Sequence, residues 1–298
     1  MKAFVTGATG FVGPHLCAHL AACGDEVVAA DDSLDITDAA ATEAALVAAA
    51  PEVVYHLAAR SDVAASWREP GATLLVNAVG TQFVLDAARS AGARRVLVIG
   101  SAEEYGRVAP DAGPVGEDTP SRPLTPYGAS KVAAGILALQ AWLGHGLETV
   151  RVRPFNHTGP GQAPAFFVPG FARRIAEAER TGAPTITAGS LDAVRDLSDV
   201  RDVVRAYRLL MIAGEPGEVY NVCRGTGTPI AEIARRLIAL ATTPLRIETD
   251  PALVRPAEIP VLVGDPTRLR AATGYEPEHD LDATLAAVLA EARAAVAN

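Results

Sequence analysis

A glycine-rich turn close to the start of the chain restricts the fold more than any other feature of the sequence. The apolar residues 3–5 are typical of a short, fully buried parallel strand, and the glycine-rich run TGATGFVG follows it. Gly7 would supply the backbone angles of a tight turn, and Gly10 would let the backbone approach a pyrophosphate without an intervening Cβ. Gly13 would let the following helix, whose N–H groups face the phosphates, lie close on the strand. The pattern predicts a strand–turn–helix unit, serving either as a packing device or as a dinucleotide site.

An acidic residue closes the next apolar run. Residues 26–30 predict the second strand, and Asp31 follows it, 21 residues after Gly10. A dinucleotide-binding fold places the carboxylate that holds the adenosine ribose at this distance. Such a carboxylate accepts hydrogen bonds from the ribose hydroxyls and repels a 2′-phosphate, so Asp31 favours NAD(H) and leaves NADP(H) as the second choice. Asp32 beside it keeps open the alternative of a solvated turn.

Residues 33–38 predict a very short strand whose end would lie beside the adenine. We expect Asp35 to accept a hydrogen bond from the adenine amino group and Ile36 to stack on the adenine face. Thr37 or Asp38 would cap the helix that begins at residue 39.

The composition excludes several classes of function. The 298-residue chain is long enough for one large or two modest domains, and its 49% hydrophobic and 5% aromatic content is typical of α/β proteins. The net charge of −9 argues against a nucleic-acid partner, because such a binding face needs clustered Lys and Arg. The three cysteines form no CxxC pair and no metal spacing, which favours a reducing compartment. No run predicts a signal peptide or a membrane span, so we expect a soluble cytoplasmic protein.

Strands and helices alternate through the first 150 residues. Apolar runs at 53–59 and 95–101 predict further buried strands between helical segments, which is typical of an α/β doubly wound parallel sheet, the Rossmann fold. Leu57, Ala58 and Ala59 end one of these strands, where small residues let a cofactor pass close to the sheet. The last predicted elements are a strand at 217–222 and helices at 229–241 and 281–296.

Beyond residue 155 the pattern loosens, and proline, glycine and arginine become frequent. We predict a dinucleotide-binding domain over residues 1–155, to which residues 196–223 return. Residues 156–195 and 224–298 would form a smaller α+β lobe that covers the carboxyl edge of the sheet. The cleft between the two is the expected site.

Tyr127 and Lys131 are four residues apart in the run PYGASK, so on a helix they share one face, a single turn apart. A phenol has a reference pKa of about 10, and we expect the ammonium together with a cationic nicotinamide to favour the phenolate near neutrality. Such a group can protonate a carbonyl oxygen while the carbonyl carbon receives a hydride. Ser101, at the carboxyl end of a predicted strand, would hydrogen-bond to the same oxygen.

In this order, TGATGFVG, Asp31, Asn77, GSAEEYG and PYGASK resemble the extended short-chain dehydrogenase/reductase family that acts on nucleotide sugars. The resemblance runs over essentially the whole chain and implies that Ser101, Tyr127 and Lys131 are the catalytic set. It also implies that Lys131 binds the nicotinamide ribose and that Asn77 is a structural or relay residue. The predicted cofactor site comprises Gly7, Gly10, Phe11, Val12, Gly13, Asp31, Asp35, Ile36, Leu57, Ala58, Ala59, Asn77, Ile99, Tyr127, Lys131 and Pro154.

Three segments of the second lobe, RPFNHTGPGQ, AVRDLSDVRD and RPAEIPVLVGD, look like the nucleotide-sugar segments of this family. Asn156 can donate to a phosphate, and Arg195 and Arg255 can each grip a diphosphate through a planar fork. Glu258 can accept from ribose hydroxyls. The alternative for each arginine is an ion pair at the surface or between lobes. The predicted substrate site comprises Ser61, Ser101, Glu103, Asn156, Val168, Arg174, Arg195, Arg255 and Glu258.

Within the family, the second-lobe segments look most like those of 4-keto reductases. The implied reaction moves a hydride from NAD(P)H to C4 of GDP-4-keto-6-deoxy-D-mannose, giving GDP-D-rhamnose, with Tyr127 delivering the proton. In GDP-mannose 4,6-dehydratases a glutamate stands two residues after the hydroxyl catalyst, and Glu103 occupies that position here. A dehydratase or an epimerase with bound NAD therefore stays open, although Ser101, where the dehydratases usually have threonine, favours the reductase.

The resemblance also implies a homodimer, formed by the helix that carries Asn77 and the helix that carries Tyr127 and Lys131. An alternative of another class is a non-catalytic dinucleotide sensor. The intact catalytic set argues against a sensor, because a sensor needs no proton donor.

Overall fold

The computed structural model describes residues 1–109, 111–250 and 259–297. Its strands are β1 (Lys2–Thr6), β2 (Glu26–Ala29), β3 (Val53–His56), β4 (Arg95–Ile99), β5 (Glu148–Pro154), β6 (Asn156–Thr158), β7 (Thr185–Ala188), β8 (Val194–Asp199), β9 (Val219–Val222), β10 (Gly227–Pro229), β11 (Arg246–Thr249) and β12 (Val261–Leu262). Its α-helices are α1 (Val12–Ala22), α2 (Ala39–Ala49), α3 (Val63–Arg68), α4 (Pro70–Leu74), α5 (Thr81–Ser90), α6 (Pro126–His145), α7 (Phe167–Thr181), α8 (Val200–Ala213), α9 (Ile230–Ala239), α10 (Thr267–Thr273) and α11 (Leu281–Ala297). A π-helical stretch, Leu75–Gly80, continues α4 into α5, and a 3₁₀ turn covers Ala102–Glu104.

Six parallel strands form the central sheet in the order β2-β1-β3-β4-β5-β9. Chain order reverses between β1 and β3, so a crevice opens outside the carboxyl ends of these two strands, where open α/β sheets bind ligands. The predicted doubly wound α/β fold is confirmed. The apolar run at 217–222 becomes β9, the edge strand.

Helices cover both faces of this sheet, which is why its strands are apolar on both sides. On one face, α1, α8 and α10 enclose a core that includes Val5, Leu16 and Tyr207. On the other face, α2, α5 and α6 enclose a core that includes Phe4 and Val84. Adjacent residues of β1 thus serve opposite cores, as the two-residue period of a strand requires.

The very short strand expected between β2 and α2 is wrong, because two aspartates close tight turns there. Ser33 donates to the Asp31 carboxylate through its backbone N–H (2.9 Å) and its hydroxyl (2.5 Å). Thr37 donates to the Asp35 carboxylate in the same way (2.8 and 2.7 Å). These Asx turns satisfy the backbone locally and compete with strand pairing. Asp38 then caps α2, as predicted.

The C-terminal lobe builds small sheets of its own. β8 pairs with β6, β10 and β12, and β7 pairs with β11. α7, α9 and α11 pack around a separate core that includes Phe171 and Leu285. A buried carboxylate ties this lobe to the central sheet, since Asp196 on β8 accepts the backbone N–H groups of Arg224 (2.9 Å) and Gly225 (2.8 Å), just beyond β9. The lobe is thereby held over the carboxyl edge of the sheet.

Across residues 1–109, 111–250 and 259–297, none of the helices combines the length and the apolar character needed to cross a membrane.

Candidate active site

The catalytic pair predicted from PYGASK lies at the start of α6. Thr125 caps this helix by accepting the Gly128 backbone N–H (3.0 Å), and Pro126 occupies the first helical position, where a missing N–H costs nothing. Tyr127 and Lys131 therefore lie one turn apart on one face, 9% and 5% exposed. Both side chains line a cavity at the carboxyl edge of the sheet.

Lys131 is held by the end of β4. Its Nζ donates to the backbone oxygen of Ile99 (2.8 Å) and lies 6.0 Å from the centroid of the Tyr127 ring. Burial lowers the pKa of the Lys131 ammonium to about 8, although the negative charge of Glu104 acts in the opposite direction. Lys131 is therefore poised to change its charge in a range close to neutrality.

The Tyr127 phenol stays protonated over the same range. Burial raises its pKa to about 12, and a hydrogen bond with the Ser101 side chain only partly offsets this rise. The expected phenolate depends on a cationic nicotinamide as well as on the ammonium, so it stays a prediction for the protein with bound cofactor. A protonated phenol has the proton that a carbonyl oxygen requires when its carbon is reduced.

Ser101 follows β4 and caps the N-terminus of the 3₁₀ turn that comes directly after it. Its Oγ accepts the backbone N–H of Glu103 (3.1 Å), which fixes Glu103 beside the catalytic hydroxyl. Glu103 also lines the cavity, and Arg195 of the C-terminal lobe is near it. Burial lowers the pKa of the Arg195 guanidinium, and the charge of Glu103 counteracts that shift. Ser101 and Glu103 therefore line one side of the cavity, and the charge of Glu103 reaches Arg195 outside the lining.

The cavity measures about 510 Å³ and brings together most of the residues predicted from the sequence. Its position, outside the carboxyl ends of β1, β3 and β4, is the one expected for ligands of an open parallel sheet. The predicted residues that line it are Gly7, Gly10, Phe11, Val12, Gly13, Leu57, Ala58, Ala59, Ser61, Ile99, Ser101, Glu103, Tyr127, Lys131, Pro154 and Asn156.

The turn between β1 and α1 fits a dinucleotide pyrophosphate. Gly7 has a φ of +67°, and a Cβ there would lie 2.7 Å from the backbone nitrogen of Ala58. A Cβ on Gly13 would lie 2.4 Å from the backbone oxygen of Ala8, so the helix approaches the turn itself. Phe11, the residue before α1, gives no side-chain cap to the first N–H groups of the helix. An anion at this end of the cavity would satisfy those groups.

The predicted adenosine contacts lie apart from the cavity lining. Asp31 and Asp35 are exposed, and their turn hydrogen bonds lower the pKa of both carboxyls. Ile36 is buried in the core beside α5. Asp32, which was not among the predicted site residues, lines the cavity and accepts a hydrogen bond from Thr9 of the glycine-rich turn. The carboxylate that contacts the glycine-rich turn is therefore Asp32, one residue after the predicted Asp31.

Asn77 links the loop after β3 to the catalytic helix. Its Oδ1 accepts the Arg60 backbone N–H (2.7 Å), and its Nδ2 donates to the Arg60 backbone oxygen (3.0 Å) and to Ser130 Oγ (2.9 Å). The Ser130 hydroxyl donates in turn to the backbone oxygen of Tyr127 (2.7 Å). Asn77 thus holds α6 against the wall of the cavity, and it lies in the π-helical stretch, a feature often found at functional sites.

The predicted second-lobe residues are dispersed. Arg195 donates to the backbone oxygens of Val194 (2.9 Å) and Pro260 (3.4 Å). Arg174 donates to the backbone oxygen of Thr187 (2.6 Å) and lines a separate groove of about 890 Å³ between α7, β7 and α11. Val168 is buried in the core of the lobe. Two further predicted residues lie outside the described residues, Arg255 and Glu258.

Several cavity residues escaped the sequence prediction. His157 and Gln162 stand in the RPFNHTGPGQ segment, and the His157 ring stacks on Phe11 with centroids 5.9 Å apart and planes 8° apart. Their motif was a signal that could have found them, as was the position of Thr9 between two glycines. Leu262 stands in the RPAEIPVLVGD segment, and Tyr207 comes from α8, so both reach the cavity from elements distant in sequence. The additional lining residues are Thr9, Asp32, Val63, Gly100, Ala102, Phe155, His157, Gln162, Phe166, Tyr207 and Leu262.

This arrangement, a glycine turn facing a buried Ser, Tyr and Lys across one cavity, agrees with a match to a known family. The model of the NAD dependent epimerase/dehydratase family matches residues 3–223. The chain belongs to this family. The epimerase/dehydratase model thus spans the glycine turn, the catalytic helix and the strands up to β9, which together line most of the cavity.

Three epimerase/dehydratase relatives show how close the similarity is. The chain is 37% identical over 294 residues to GDP-6-deoxy-D-mannose reductase of Pseudomonas aeruginosa, covering 97% of this chain and 96% of the relative. It is similar to the structure of RMD from Pseudomonas aeruginosa complexed with NADPH, with a TM-score of 0.91, 36% identity and 99% coverage of both chains. UDP-glucose 4-epimerase of Thermus thermophilus, in complex with NAD, is similar with a TM-score of 0.88, 28% identity and coverage of 99% and 100%.

Proposed function

We propose that this protein reduces the C4 ketone of GDP-4-keto-6-deoxy-D-mannose with NAD(P)H and forms GDP-D-rhamnose. The observation that carries the proposal is the 37% identity to GDP-6-deoxy-D-mannose reductase over 97% of the chain. The protonated phenol of Tyr127 supports the same direction of reaction, since a ketone reduction needs a proton donor at the carbonyl oxygen.

Each of the three catalytic side chains has a defined role in this reaction. NAD(P)H supplies a hydride to C4. Tyr127 donates its phenolic proton to the C4 oxygen, and Ser101 hydrogen-bonds to the same oxygen, which stabilises the charge that develops there. Lys131 would hold the bound cofactor by donating to its nicotinamide ribose, and the ammonium would stabilise the Tyr127 phenolate that remains. The electron pair of the hydride and the proton together convert the ketone to an alcohol.

We place the sugar and the diphosphate of the substrate on the side of the cavity that faces the C-terminal lobe. Asn156 is exposed there, and Ser61 lines the cavity from the loop after β3. Arg195 would turn from its backbone acceptors to grip the diphosphate. Arg255 and Glu258 remain proposed contacts, whereas Val168 is buried in the lobe core and Arg174 lines the separate groove.

NADH is the proposed preferred form of the cofactor. The Asp31–Asp32 pair follows β2, and the carboxylate of Asp32 borders the cavity next to the glycine turn. A carboxylate at this point accepts from a ribose 2′-hydroxyl and repels a 2′-phosphate. The similar structure of RMD from Pseudomonas aeruginosa holds NADPH, so NADPH is the form against which NADH must be compared.

A GDP-mannose 4,6-dehydratase is the second candidate, favoured by one observation. Glu103 lines the cavity two residues after Ser101, where a base could reach a sugar C5 proton. In a dehydratase the cofactor is recycled, so no added NADH would be consumed.

One incubation separates the candidates. The pure protein is mixed with GDP-4-keto-6-deoxy-D-mannose and NADH, absorbance at the nicotinamide band is followed, and the sugar product is identified. We expect NADH loss equal to the GDP-D-rhamnose formed. No NADH loss, together with conversion of GDP-mannose to the keto sugar without added cofactor, would establish the dehydratase instead.

We further propose a homodimer built on α4, the π-helical stretch and α6. These neighbouring segments expose large apolar side chains, including Leu74 (48%), Ile136 (60%) and Leu143 (74%). Such a cluster marks an interaction surface. Light scattering should give twice the chain mass, and the double substitution Ile136→Glu with Leu143→Glu should give the monomer. The matched control Ile212→Glu, at a 53% exposed position on α8, should stay dimeric. A monomeric parent protein would contradict this proposal.

The division of the chain into a dinucleotide-binding domain (1–155 with 196–223) and a nucleotide-sugar lobe remains a proposal. The place of β9 in the central sheet and the separate core of α7, α9 and α11 support it.

A cytoplasmic location is also proposed. Cys17, Cys23 and Cys223 are free thiols, as is usual in a reducing compartment.

A further inference from the structure

A second glutamate lies directly behind the catalytic serine. The side chain of Glu104 is 4% exposed and faces away from the cavity lining that Glu103 joins. Its Oε1 accepts the backbone N–H of Ser101 (2.9 Å), and its Oε2 accepts Nε–H of Arg153 on β5 (2.8 Å). Glu104 therefore connects the backbone of the catalytic residue to a buried cation.

This carboxylate is held in one position by its surroundings. Arg153 donates further to the Tyr105 hydroxyl (3.1 Å) and to Ser121 Oγ (3.2 Å), and its guanidinium lies 4.7 Å from the centroid of the Tyr105 ring. A Cβ at Gly100 would lie 2.2 Å from Glu104 Oε1 and 2.8 Å from the backbone oxygen of Val152, so a larger residue there would displace the carboxylate or the strand end. A network with all these partners leaves the Glu104 side chain little freedom.

The charge of Glu104 also acts on both proton-carrying residues of α6. It opposes the fall that burial causes in the pKa of Lys131, and it adds to the rise in the pKa of Tyr127. Both effects have the same sign, because a nearby negative charge favours the protonated form of either group.

The other titratable groups near this pair do not replace Glu104. Glu103 also raises the pKa of Tyr127 but is partly exposed to the cavity. Burial lowers the pKa of His56, at the end of β3, to about 3, which keeps that imidazole neutral. Burial raises the pKa of Tyr207, on α8, so its phenol is neutral too. Arg151, beside Arg153 on β5, is a cation and feels the charge of Glu104 as well.

We propose that Glu104 is a positioning residue for the reduction: its carboxylate, held by Arg153, fixes the backbone that carries Ser101. The same buried carboxylate has a second, electrostatic effect, because its negative charge favours the cationic form of Lys131. This inference rests on the proposed function for its catalytic readout. Glu104 touches neither substrate nor cofactor and acts through its three neighbours.

Two substitutions separate the two tasks. Glu104→Gln keeps the side-chain shape and an acceptor for the Ser101 N–H but removes the charge. We expect kcat below pH 7 to stay within about threefold, while the alkaline limb of the kcat profile moves to lower pH by about one unit. Glu104→Asp keeps the charge but withdraws the carboxylate from Ser101. It should leave the limb in place and lower kcat about tenfold, a loss typical of misplaced catalytic groups.

Glu117→Gln is the matched control, because the Glu117 side chain is also buried (5% exposed) and its backbone oxygen accepts from Arg153. The alkaline limb of the kcat–pH profile of Glu117→Gln should coincide with that of the parent protein. The charge role would be overturned if the alkaline limb of the kcat–pH profile did not shift in Glu104→Gln. It would also be overturned if Glu117→Gln shifted that limb by the same amount. An unchanged kcat in Glu104→Asp would overturn the positioning role, and this variant decides the question even if Glu104→Gln does not fold.

NADH binding tests the charge role without the sugar. Fluorescence titration with NADH alone should show affinity that weakens above about pH 8 in the parent protein, where Lys131 loses its proton, and at lower pH in Glu104→Gln. If the parent protein reduces no keto sugar, the proposed function fails, whereas this titration still supports or overturns the role of Glu104.

Discussion

In the dinucleotide half of the cleft, Tyr127 and Lys131 reach the cavity from one face of α6, whereas in the C-terminal lobe the predicted arginines hold backbone carbonyls. Arg195 donates to Val194 and Pro260, and Arg174 donates to Thr187 beside a different groove. The first region already holds Tyr127 and Lys131 in the cavity, whereas the proposed diphosphate contact in the second requires Arg195 to leave its backbone acceptors.

This difference follows from how each region fixes its residues. A helix cap, a strand end and a glycine turn define the backbone within a few residues, so the catalytic side chains have one direction available. Long arginine side chains in a small lobe can adopt many rotamers, and their direction depends on the charges that surround them. The side of the cleft formed by α6 and the glycine turn thus holds its side chains in fixed directions, whereas the arginines of the C-terminal lobe can change direction.

Removing the Tyr127 hydroxyl is the substitution with the largest expected effect on the preorganised side. Tyr127→Phe should lower kcat about 10³-fold, since general acid catalysis contributes roughly 10²- to 10⁴-fold, while NADH binding persists. Steady-state kinetics and NADH titration measure the two quantities. The control Tyr275→Phe removes a buried hydroxyl without a hydrogen-bond partner among the described residues and should keep its kcat. Activity of Tyr127→Phe near that of the parent protein would break the comparison, because the proton would then come from elsewhere.

The two arginines provide the next largest effect. Arg195→Met should raise the KM for the GDP sugar about 10- to 100-fold, the loss expected for hydrogen bonds to a charged group, with a smaller change in kcat. Arg174→Met should change KM by less, because its guanidinium lies outside the catalytic cavity. A larger effect at Arg174 would show that the diphosphate lies along the α7 groove instead.

Much of the catalytic half could be predicted, because its signals are local. Gly7 and Gly13 occur where a turn of left-handed backbone and a close approach demand glycine, and the four-residue spacing of Tyr127 and Lys131 specifies a shared helix face. The fold class followed from the alternation of strands and helices. Each of these predictions depends only on residues that are close together in the sequence.

The remainder depended on contacts that a sequence does not display. Asp31 was chosen over Asp32 by its distance from Gly10, but the Asx turn with Ser33 directs it elsewhere. Burial raises the pKa of Tyr127 in the folded protein, an effect that the spacing of residues in the sequence does not display. Tyr207 joins the cavity because α8 packs on the same face of the sheet as α1, a contact between segments distant in sequence.

Substitutions of Asp31 and Asp32 give the smallest expected effect, a change in the preference for NADH over NADPH. They extend the comparison of the two regions to the adenosine end of the cleft. Asp32→Ser should shift the ratio of kcat/KM for NADH over NADPH about tenfold toward NADPH, because a repulsive carboxylate is removed from the edge of the cavity. Asp31→Ser should shift the ratio less. Kinetics with both cofactors provide the ratio. If Asp31 gives the larger shift, the ribose contact lies where the sequence spacing placed it.

The most direct test of the reductase follows the hydride itself. NADH carrying deuterium at C4 of the nicotinamide, prepared separately in its two stereoisomeric forms, is incubated with the protein and GDP-4-keto-6-deoxy-D-mannose. The product is examined by mass spectrometry and NMR. We expect one of the two forms, and not the other, to place a single deuterium at C4 of GDP-D-rhamnose. Conversion of the sugar with no deuterium incorporated from either form would contradict the reductase, because the hydride would then have come from a recycled, bound cofactor.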